Sequence, residues 1–218
     1  MIGITIASPK YSEIAEEAKN RFVKHTGLQC LVLNTVEEKN YTAKLQLWKL
    51  FKNTNQSFCF FDCDNFCVKD CDLTQFDNRK EFIAVKDSDG HPLGPATWEG
   101  GFSYKDCKRH GMDPHRYFNG GFFIVNAKHH AKVFKRALQY IRDPQVVFDD
   151  FGEQGSLNLA VRDLKVDLEL ISVRYNCMVG GSIDIIEEYC PDPYFIHAAG
   201  MDLKYKIDHM EWQESRIN

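Results

Sequence analysis

The chain has 218 residues, of which 44% are hydrophobic and 27% are charged, and its formal net charge is −4. A chain of this length and composition can bury a substantial core, so we interpret residues 1–218 as one domain. The negative net charge argues against a nucleic-acid surface, and no apolar run approaches the roughly 20 residues of a membrane-spanning helix. We therefore expect neither a nucleic-acid partner nor a membrane segment.

The cysteines point to a reducing compartment. Met1 leads directly into the strand-like Ile2–Ala7 without a secretion signal, so the eight cysteines are predicted to be reduced, partly buried thiols in a cytoplasmic protein. Four of them recur at every fourth position, in a segment that reads as strand and loop: Cys59, Cys63, Cys67 and Cys71. This segment lacks a Cys-x-x-Cys pair, which argues against a zinc site.

The first part of the chain alternates strands and helices. The predicted elements are a strand over 2–7, a helix from about residue 11 to Gly27, a strand over 29–33, a helix over 41–53 and a strand over 58–61. Leu47, Leu50 and Phe51 are core candidates of the second helix. This order predicts an α/β fold with a mainly parallel central sheet flanked by helices, and ligands beyond the carboxyl ends of its strands.

The second part contains a long stretch without periodicity. Residues 86–118 predict a loop, and long loops in compact domains tend to be functional, so we place acceptor recognition around Trp98, Glu99 and Tyr104. The alternative is surface decoration. The other predicted elements are strands over 82–85, 121–126, 168–173 and 194–197, helices over 128–142 and 153–163, and a turn at Gly180-Gly181.

The third strand ends in two acids. The apolar run from Phe58 to Phe61 stops at Asp62-Cys63-Asp64. Because side chains alternate along an extended backbone, Asp62 and Asp64 point the same way and share one small space. Two carboxylates repel each other there unless a cation lies between them, and oxygen ligands suit Mg²⁺ or Mn²⁺. We interpret the pair as a metal site, with a strand-end cap or turn as the alternative.

The Asp-x-Asp pattern occurs three times, so its context decides. Asp70 and Asp72 lie in a polar run and are interpreted as solvated turn residues. Asp87-Ser88-Asp89-Gly90 also has the composition of a turn, but Asp87 directly follows a strand and can reach the same cleft. Only the pair at Asp62 terminates a continuous apolar strand.

Several short motifs occur in one order along most of the chain. They are Lys44-Leu45-x-x-Trp48-x-Leu50, Asp62-x-Asp64, Phe118-Asn119-Gly120-Gly121, Gly152-Glu153-Gln154-Gly155-x-Leu157-Asn158, Tyr175-Asn176 and Ile196-His197-x-x-Gly200. In this order the sequence resembles the GT-A-fold glycosyltransferases of the glycogenin-like group, glycosyltransferase family eight. Within that family it most resembles a transferase domain of a larger viral protein, which implies an excised domain and, for a viral protein, a location in the host cytoplasm.

The resemblance implies a UDP-sugar donor, Mn²⁺ or Mg²⁺ at its diphosphate, a glycan or glycoprotein acceptor, and transfer with retention of configuration. Glucose, galactose and a deoxyhexose such as rhamnose all stay open as the donor sugar. By motif position the resemblance implies metal ligands Asp62, Asp64 and His197, catalytic residues Gln154, Glu153 and Asp87, and donor-binding residues Ala7, Ser8, Tyr11, Lys44, Cys63, Asn119, Gly120, Gly121, Gly200 and Lys204. Tyr11 resembles the aromatic residue that stacks on the donor base.

Two positions depart from the family pattern. Glu153 stands where Asp is usual, which shifts its carboxylate by one methylene. The phosphate-binding Lys arrives one residue late, as Lys204, and Lys206 is its rival. A covalent retaining path needs a nucleophile under the anomeric carbon, and the amide of Gln154 is a poor one. We therefore expect front-face attack, with Glu153 as the covalent alternative.

Two other functions stay open. An apolar strand ending in Asp-x-Asp also opens haloacid-dehalogenase-like phosphatases, in which Asp62 would be the nucleophile and Asp149-Asp150 the later acidic pair. Against this, Asn65 and Phe66 follow the motif where those enzymes usually carry Thr or Val. The remaining alternative is a non-catalytic module that binds a nucleotide sugar or a glycan.

Overall fold

The computed structural model describes residues 1–35, 41–51, 54–87, 101–149, 152–178, 190–200, 206 and 215. The strands are β1 (Ile2–Ala7), β2 (Cys30–Asn34), β3 (Ser57–Phe61), β4 (Asn65–Cys67), β5 (Phe82–Lys86), β6 (Phe118–Asn126), β7 (Leu168–Ile171), β8 (Cys177–Met178) and β9 (Phe195–His197). The α-helices are α1 (Ser12–Thr26), α2 (Trp48–Phe51), α3 (Phe102–His110), α4 (Ala127–Arg142) and α5 (Glu153–Asp163). Short 3₁₀ helices span Pro9–Tyr11, Tyr41–Leu47, Thr74–Phe76, Pro114–Arg116 and Val173–Tyr175.

The central sheet has six strands in the order β2-β1-β3-β6-β5-β7. β1 pairs in parallel with β2 and β3, and β5 pairs in parallel with β7. β6 is antiparallel to both of its neighbours, β3 and β5. Five strands therefore run in one direction and β6 in the other, which confirms the α/β fold with a mostly parallel sheet flanked by helices.

The strand that leads to the acids is buried on both faces. All five residues of β3 are buried, as a continuous apolar run predicts. Phe61 stacks on Phe22 of α1 at a centroid distance of 4.9 Å, and Phe60 stacks on Phe123 of β6 at 4.7 Å on the other face. Because both faces of β3 are packed, its carboxyl end is a rigid base for the residues that follow.

The structure corrects three predictions. Residues 41–51 form a 3₁₀ helix and one α-helical turn in place of a continuous helix, and Leu50, predicted in the core, is 45% exposed. Leu47 and Phe51 are buried as expected. The stretch predicted as a loop contains α3, which ends at Gly111 in the left-handed conformation, φ 63°.

Trp98, Glu99, Asp89 and the Gly180-Gly181 turn lie outside the described residues.

Two predicted helices agree with the structure. α5 spans Glu153–Asp163, as the sequence predicts, and α1 ends at Gly27 with φ 69°. All eight cysteines are free, and six of them are buried. Within the described ranges, no helix is long and apolar enough to cross a membrane.

Candidate active site

A tight turn at the end of β3 presents the two acids. The backbone N–H of Asp62 donates to the carbonyl of Gly121 on β6 at 2.9 Å, and the N–H of Asn65 donates to the carbonyl of Asp62 at 2.9 Å. The chain then enters β4, which belongs to a second, three-stranded sheet in the order β4-β9-β8. Asp62 and Asp64 therefore lie where the two sheets meet, beyond the carboxyl end of β3.

The second sheet brings His197 to the acids. β4 and β9 are antiparallel, with Asn65 directly opposite His197. The N–H of Ala198 donates to the carbonyl of Asp64 at 2.9 Å, and Nε2 of His197 lies 3.3 Å from Oδ1 of Asp64. One ligand atom each of Asp62, Asp64 and His197 lies within 4.8 Å of the others. Among the described residues, this is the only cluster of at least three His, Cys, Asp or Glu side chains with such geometry.

Gly121 makes room for His197. A Cβ atom at position 121 would lie far inside van der Waals contact of Cε1 of His197 and 2.8 Å from Oδ1 of Asn119. His197 itself is 5% exposed, and its Nδ1 has no hydrogen-bond partner among the residues that the structure describes. The imidazole is thus held against the acids by packing on the backbone of β6.

Lys44 is buried among carboxylates. Its Nζ donates to Oδ1 of Asp62 and to the carbonyl of Gly120, both at 3.0 Å, and lies 3.6 Å from Oε1 of Glu153. Burial by itself lowers the pKa of Lys44, but the charges of Asp62 and Glu153 reverse this effect and raise it. Lys44 is therefore a charged, fixed group of the site.

Lys206 forms an ion pair with Asp64. Its Nζ donates to Oδ2 of Asp64 at 2.6 Å and to the carbonyl of Ala198. Burial by itself raises the pKa of Asp64, but His197 and Lys206 on its two oxygens hold it well below the usual range. Lys204, the other candidate for this position, lies outside the described residues.

A hydrogen-bonded group of buried side chains lies beside Lys44. Asp87, 2% exposed at the end of β5, accepts from Nδ2 of Asn119 at 3.0 Å and from Nε2 of Gln154 at 3.0 Å. It also accepts from the hydroxyl of Ser103 on α3. Oε1 of Gln154 in turn accepts from the N–H of Gly120 at 2.8 Å. Asp87 thus lies behind Asn119 and Gln154 and fixes the orientation of both amides.

These residues surround one cavity of about 490 Å³. It is lined by the predicted Ala7, Ser8, Tyr11, Lys44, Asp62, Cys63, Asp64, Asn119, Gly120, Gly121, Glu153, Gln154, His197 and Gly200, together with Ile6, Thr35, Phe60, Ala199 and Lys206. The end of β1, the acidic turn, the start of β6, the start of α5 and β9 therefore all open on the same space. Asp87 is not among the lining residues, but it is hydrogen-bonded to Asn119 and Gln154, which are.

Three polar residues near the site were given no site role from the sequence, although Asn176 lies in one of the family motifs. Asn65 and Asn176 are buried and hydrogen-bonded to each other at 2.8 Å, and Ser103 bonds to Asp87. Asn65 carried a usable signal, since a polar residue in a buried strand needs partners. Ser103 carried none, because nothing local shows that α3 packs beside β5.

The other acidic motifs lie elsewhere. Asp70 bonds to the ring of His25 at 2.9 Å, and Asp72 accepts from the N–H of Thr74 at 2.8 Å, as expected for solvated turn residues. Asp149, considered for a phosphatase, pairs with Arg109 at 3.1 Å, and Asp150 lies outside the described residues.

Comparison with protein families identifies the chain. The family model described as Glycosyl transferase family 8 matches residues 8–202. The chain belongs to this family. The match covers every described residue of the cavity except Ala7, Ile6 and Lys206. No curated protein matches the chain in sequence.

Solved structures share the GT-A glycosyltransferase fold with this family 8 chain. The apo structure of the bifunctional glycosyltransferase WbbM has a TM-score of 0.70 and 14% identity, over 100% of this chain and 51% of that one. The galactosyltransferase LgtC in complex with donor and acceptor sugar analogs has a TM-score of 0.66 and 16% identity, over 100% and 94%. A glycosyltransferase involved in glycosylation of the major capsid of PBCV-1 has a TM-score of 0.64 and 15% identity, over 97% and 98%.

These identities are low, so the structural likenesses show the fold alone. The chain spans about half of the WbbM structure and nearly all of the other two. Family membership and fold together support a role in glycosyl transfer. GT-A glycosyltransferases usually use a divalent metal, and the cluster of Asp62, Asp64 and His197 is able to hold one.

Proposed function

We propose that this chain is a metal-dependent, retaining glycosyltransferase that moves a hexose or deoxyhexose from a UDP-sugar to a glycan hydroxyl. One observation carries the proposal: the cluster of Asp62, Asp64 and His197 opens on the same cavity as Asn119 and Gln154. A metal site beside fixed amide groups suits a donor that has a diphosphate at one end and a sugar at the other.

The residues present fit Mn²⁺ or Mg²⁺. Two carboxylates and one imidazole are a donor set for such ions, and the ligand atoms converge within 4.8 Å. Among the residues that the structure describes, the site contains four carboxylates, Asp62, Asp64, Asp87 and Glu153, and two ammonium groups, those of Lys44 and Lys206. The excess of two negative charges is the charge that one divalent cation balances. When bound, the ion would neutralise the charge of the departing nucleotide diphosphate.

The nucleotide end of the donor is assigned to the carboxyl end of β1. Ala7, Ser8 and Tyr11 line the cavity where the first strand ends, and a planar ring offers stacking to a base at little ordering cost. We assign the phosphate contact to Lys206, because its ammonium group lies 2.6 Å from Oδ2 of Asp64, closer to a metal ligand than that of Lys44, which lies 3.0 Å from Oδ1 of Asp62. Gly200, with φ 75°, has a left-handed backbone conformation and also lines the cavity.

The sugar end is assigned to Asn119, Glu153 and Gln154. In the proposed front-face step the bond between the acceptor oxygen and the anomeric carbon forms on the side where the bond to the phosphate oxygen breaks. The acceptor's proton passes to the departing phosphate oxygen. The carbonyl of Gln154 steadies the positive charge on the sugar, and Asp87 holds that amide in place.

Glu153 is the competing nucleophile. Glu153 is 7% exposed, and its carboxylate lies 3.6 Å from the buried ammonium group of Lys44, which stabilises it as a charged partner. This contact supports a structural charge and disfavours the covalent path. Glu153→Gln should therefore lower activity through Lys44 without changing the stereochemistry of the product.

The proposal is tested by incubating the protein with Mn²⁺ and a panel of UDP-sugars. Proton NMR is expected to record release of UDP and a product with the donor's anomeric configuration, and mass spectrometry to find no glycosyl adduct on Glu153. An inverted product or an adduct would overturn the mechanism. Release of phosphate from sugar phosphates would favour the phosphatase, and binding of UDP-sugars without turnover would favour the binding module. The excised-domain origin and the cytoplasmic location stay predictions.

A further inference from the structure

The acidic turn is fastened to β6 through a single carbonyl. Oxygen of Gly121 accepts from the backbone N–H of Asp62 at 2.9 Å and from Nδ2 of Asn65 at 3.2 Å. These two donors lie at the two ends of the turn that carries Asp62 and Asp64. The separation between the turn and β6 is therefore set at both ends, and one of the two bonds depends on the side chain of Asn65.

Asn65 also begins a chain of amide hydrogen bonds. Its Nδ2 donates to Oδ1 of Asn176 at 2.8 Å, and Nδ2 of Asn176 donates to Oδ1 of Asn119 at 3.0 Å. Nδ2 of Asn119 then donates to Oδ1 of Asp87 at 3.0 Å, and Asp87 holds Gln154. Five side chains are thus linked by consecutive hydrogen bonds, which run from the acidic turn to the residues assigned to the sugar.

The direction of this chain is fixed. Asn65 must present its nitrogen to Gly121, because a backbone carbonyl only accepts. Asn119 must present its oxygen to Asn176, because the same oxygen accepts from the N–H of Gly121 at 2.8 Å. Asn176 lies between them and must accept from one and donate to the other. No amide can flip without breaking a bond, so the chain supports only one arrangement.

Stability alone does not account for Asn65. The side chain is fully buried, and its Oδ1 has no hydrogen-bond partner in the part of the chain that the structure describes. A buried, unpartnered carbonyl costs about 1–3 kcal/mol. Apolar residues of similar size at both position 65 and position 176 would avoid this cost, because the carbonyl of Gly121 would keep the N–H of Asp62 and Oδ1 of Asn119 would keep the N–H of Gly121. The polar pair is therefore better explained by the position of the site residues that it bonds.

We propose that Asn65 and Asn176 are positioning residues that fix the position of the acidic turn relative to the side-chain amides of Asn119 and Gln154. Neither residue lines the cavity, and Asn65 faces His197 across the β4–β9 pair. Asn65 is bonded directly to the acidic turn through Gly121, whereas Asn176 reaches that turn only through Asn65 and is bonded directly to Asn119. The proposal rests on the proposed function, since it assigns the metal to one end of the chain and the sugar to the other.

The test compares Asn65→Leu, Asn176→Leu and the control Asn126→Leu. Asn126 is also a buried asparagine of the sheet, but it lies at the opposite end of β6 and bonds to Asn55, Ser57 and Lys128. Calorimetry gives the Kd of Mn²⁺, and UDP release gives kcat and KM. Thermal unfolding measures the structural cost of each substitution.

Asn65→Leu is expected to weaken Mn²⁺ binding about 10-fold or more, as loss of a group that orients a ligand does elsewhere. Asn176→Leu is expected to keep the Mn²⁺ affinity and lower kcat about 10-fold. Asn126→Leu is expected to lower Tm without changing either constant. If Asn65→Leu does not fold, Asn65→Ala, which cannot overpack the site, takes its place.

Three results would contradict parts of this account in different ways. If Asn65→Leu only lowers Tm, as the control does, the positioning role is wrong. If the wild-type protein binds Mn²⁺ but releases no UDP from any donor, the proposed function is wrong, and the Mn²⁺ affinities of the variants still decide the role of Asn65. A wild-type protein that binds no Mn²⁺ would overturn both.

Discussion

Asp87 and Gln154 hold each other at the sugar side of the cavity. Nε2 of Gln154 donates to Oδ2 of Asp87 at 3.0 Å, while the N–H of Gly120 donates to Oε1 of Gln154 at 2.8 Å. Both the nitrogen and the oxygen of the side-chain amide are thus hydrogen-bonded. The orientation of the amide is fixed before the reaction, so no reorganisation energy is needed in the transition state. Such preorganisation is the form in which a neutral amide can stabilise a developing positive charge.

Gln154→Ala is expected to slow transfer without abolishing it. The change removes one stabilising dipole, which is worth about 10²-fold in kcat, and leaves the metal ligands in place. Steady-state kinetics with a UDP-sugar and Mn²⁺ give this ratio, and the Kd of Mn²⁺ should stay at its wild-type value. Complete loss of turnover together with normal metal binding would indicate that Gln154 takes part in a covalent step.

Gly121→Ala is expected to damage the metal site. The added Cβ would overlap the ring of His197 and approach Oδ1 of Asn119 to 2.8 Å, so the imidazole must move. We expect Mn²⁺ affinity to fall about 10-fold or more in calorimetry. Gly120→Ala is the matched control, since its Cβ meets only ordinary contacts at 3.5 Å or beyond. Equal Mn²⁺ affinity in the two variants would remove His197 from the ligand set.

Tyr11→Ala is expected to weaken binding of UDP and of the UDP-sugar by the same factor. Stacking of a base on an aromatic ring contributes about 1–3 kcal/mol, so the loss should be roughly 10-fold or more for both ligands. Tyr11→Phe, which keeps the ring, should bind both normally. A loss confined to the UDP-sugar would place Tyr11 at the sugar and not at the base.

His130 gives the fold a dependence on pH that is separate from the site. Burial lowers the pKa of its imidazole to about 4, and its ring bonds to the backbone at Asn126 and Lys80. Between about pH 6.5 and this value the unfolded chain binds a proton that the folded chain does not, so the free energy of unfolding falls as pH falls. Between roughly pH 7 and pH 5 the loss is about 2 kcal/mol.

Urea unfolding of wild type and His130→Gln at these two pH values measures this effect. The variant should be less stable at neutral pH and should lose about 2 kcal/mol less on acidification. An identical loss in both proteins would show that other groups carry the pH dependence.

Local chemistry made part of the site predictable. The run from Phe58 to Phe61 needs burial on both faces, so a strand and its direction toward Asp62 and Asp64 follow from the sequence. The position of His197 came only from the family motif, because its approach to Asp64 depends on the pairing of β4 with β9. That pairing joins residues far apart in the chain and leaves no local signal.

Other features depend on tertiary structure that no local pattern encodes. An apolar strand has the same composition whether it runs with or against its neighbours, so the reversed direction of β6 could not be predicted. Leu50 fits the apolar face of a continuous helix, but the 3₁₀ helix Tyr41–Leu47 has a different period and interrupts that face, and Leu50 is exposed on the short α2 that follows. The helix α3 is short, and its polar composition resembles that of a loop.

The dependence of donor turnover on Mn²⁺ in Asp64→Ala decides whether the acids at the end of β3 hold a catalytic metal ion. Wild type and Asp70→Ala, which changes an exposed acid of the second Asp-x-Asp motif, serve as references. We predict that Mn²⁺ restores UDP release in both references after chelation, and that Asp64→Ala stays at least about 10²-fold slower at every Mn²⁺ concentration while remaining folded. Wild-type turnover by Asp64→Ala, or full wild-type activity in excess chelator, would contradict the account.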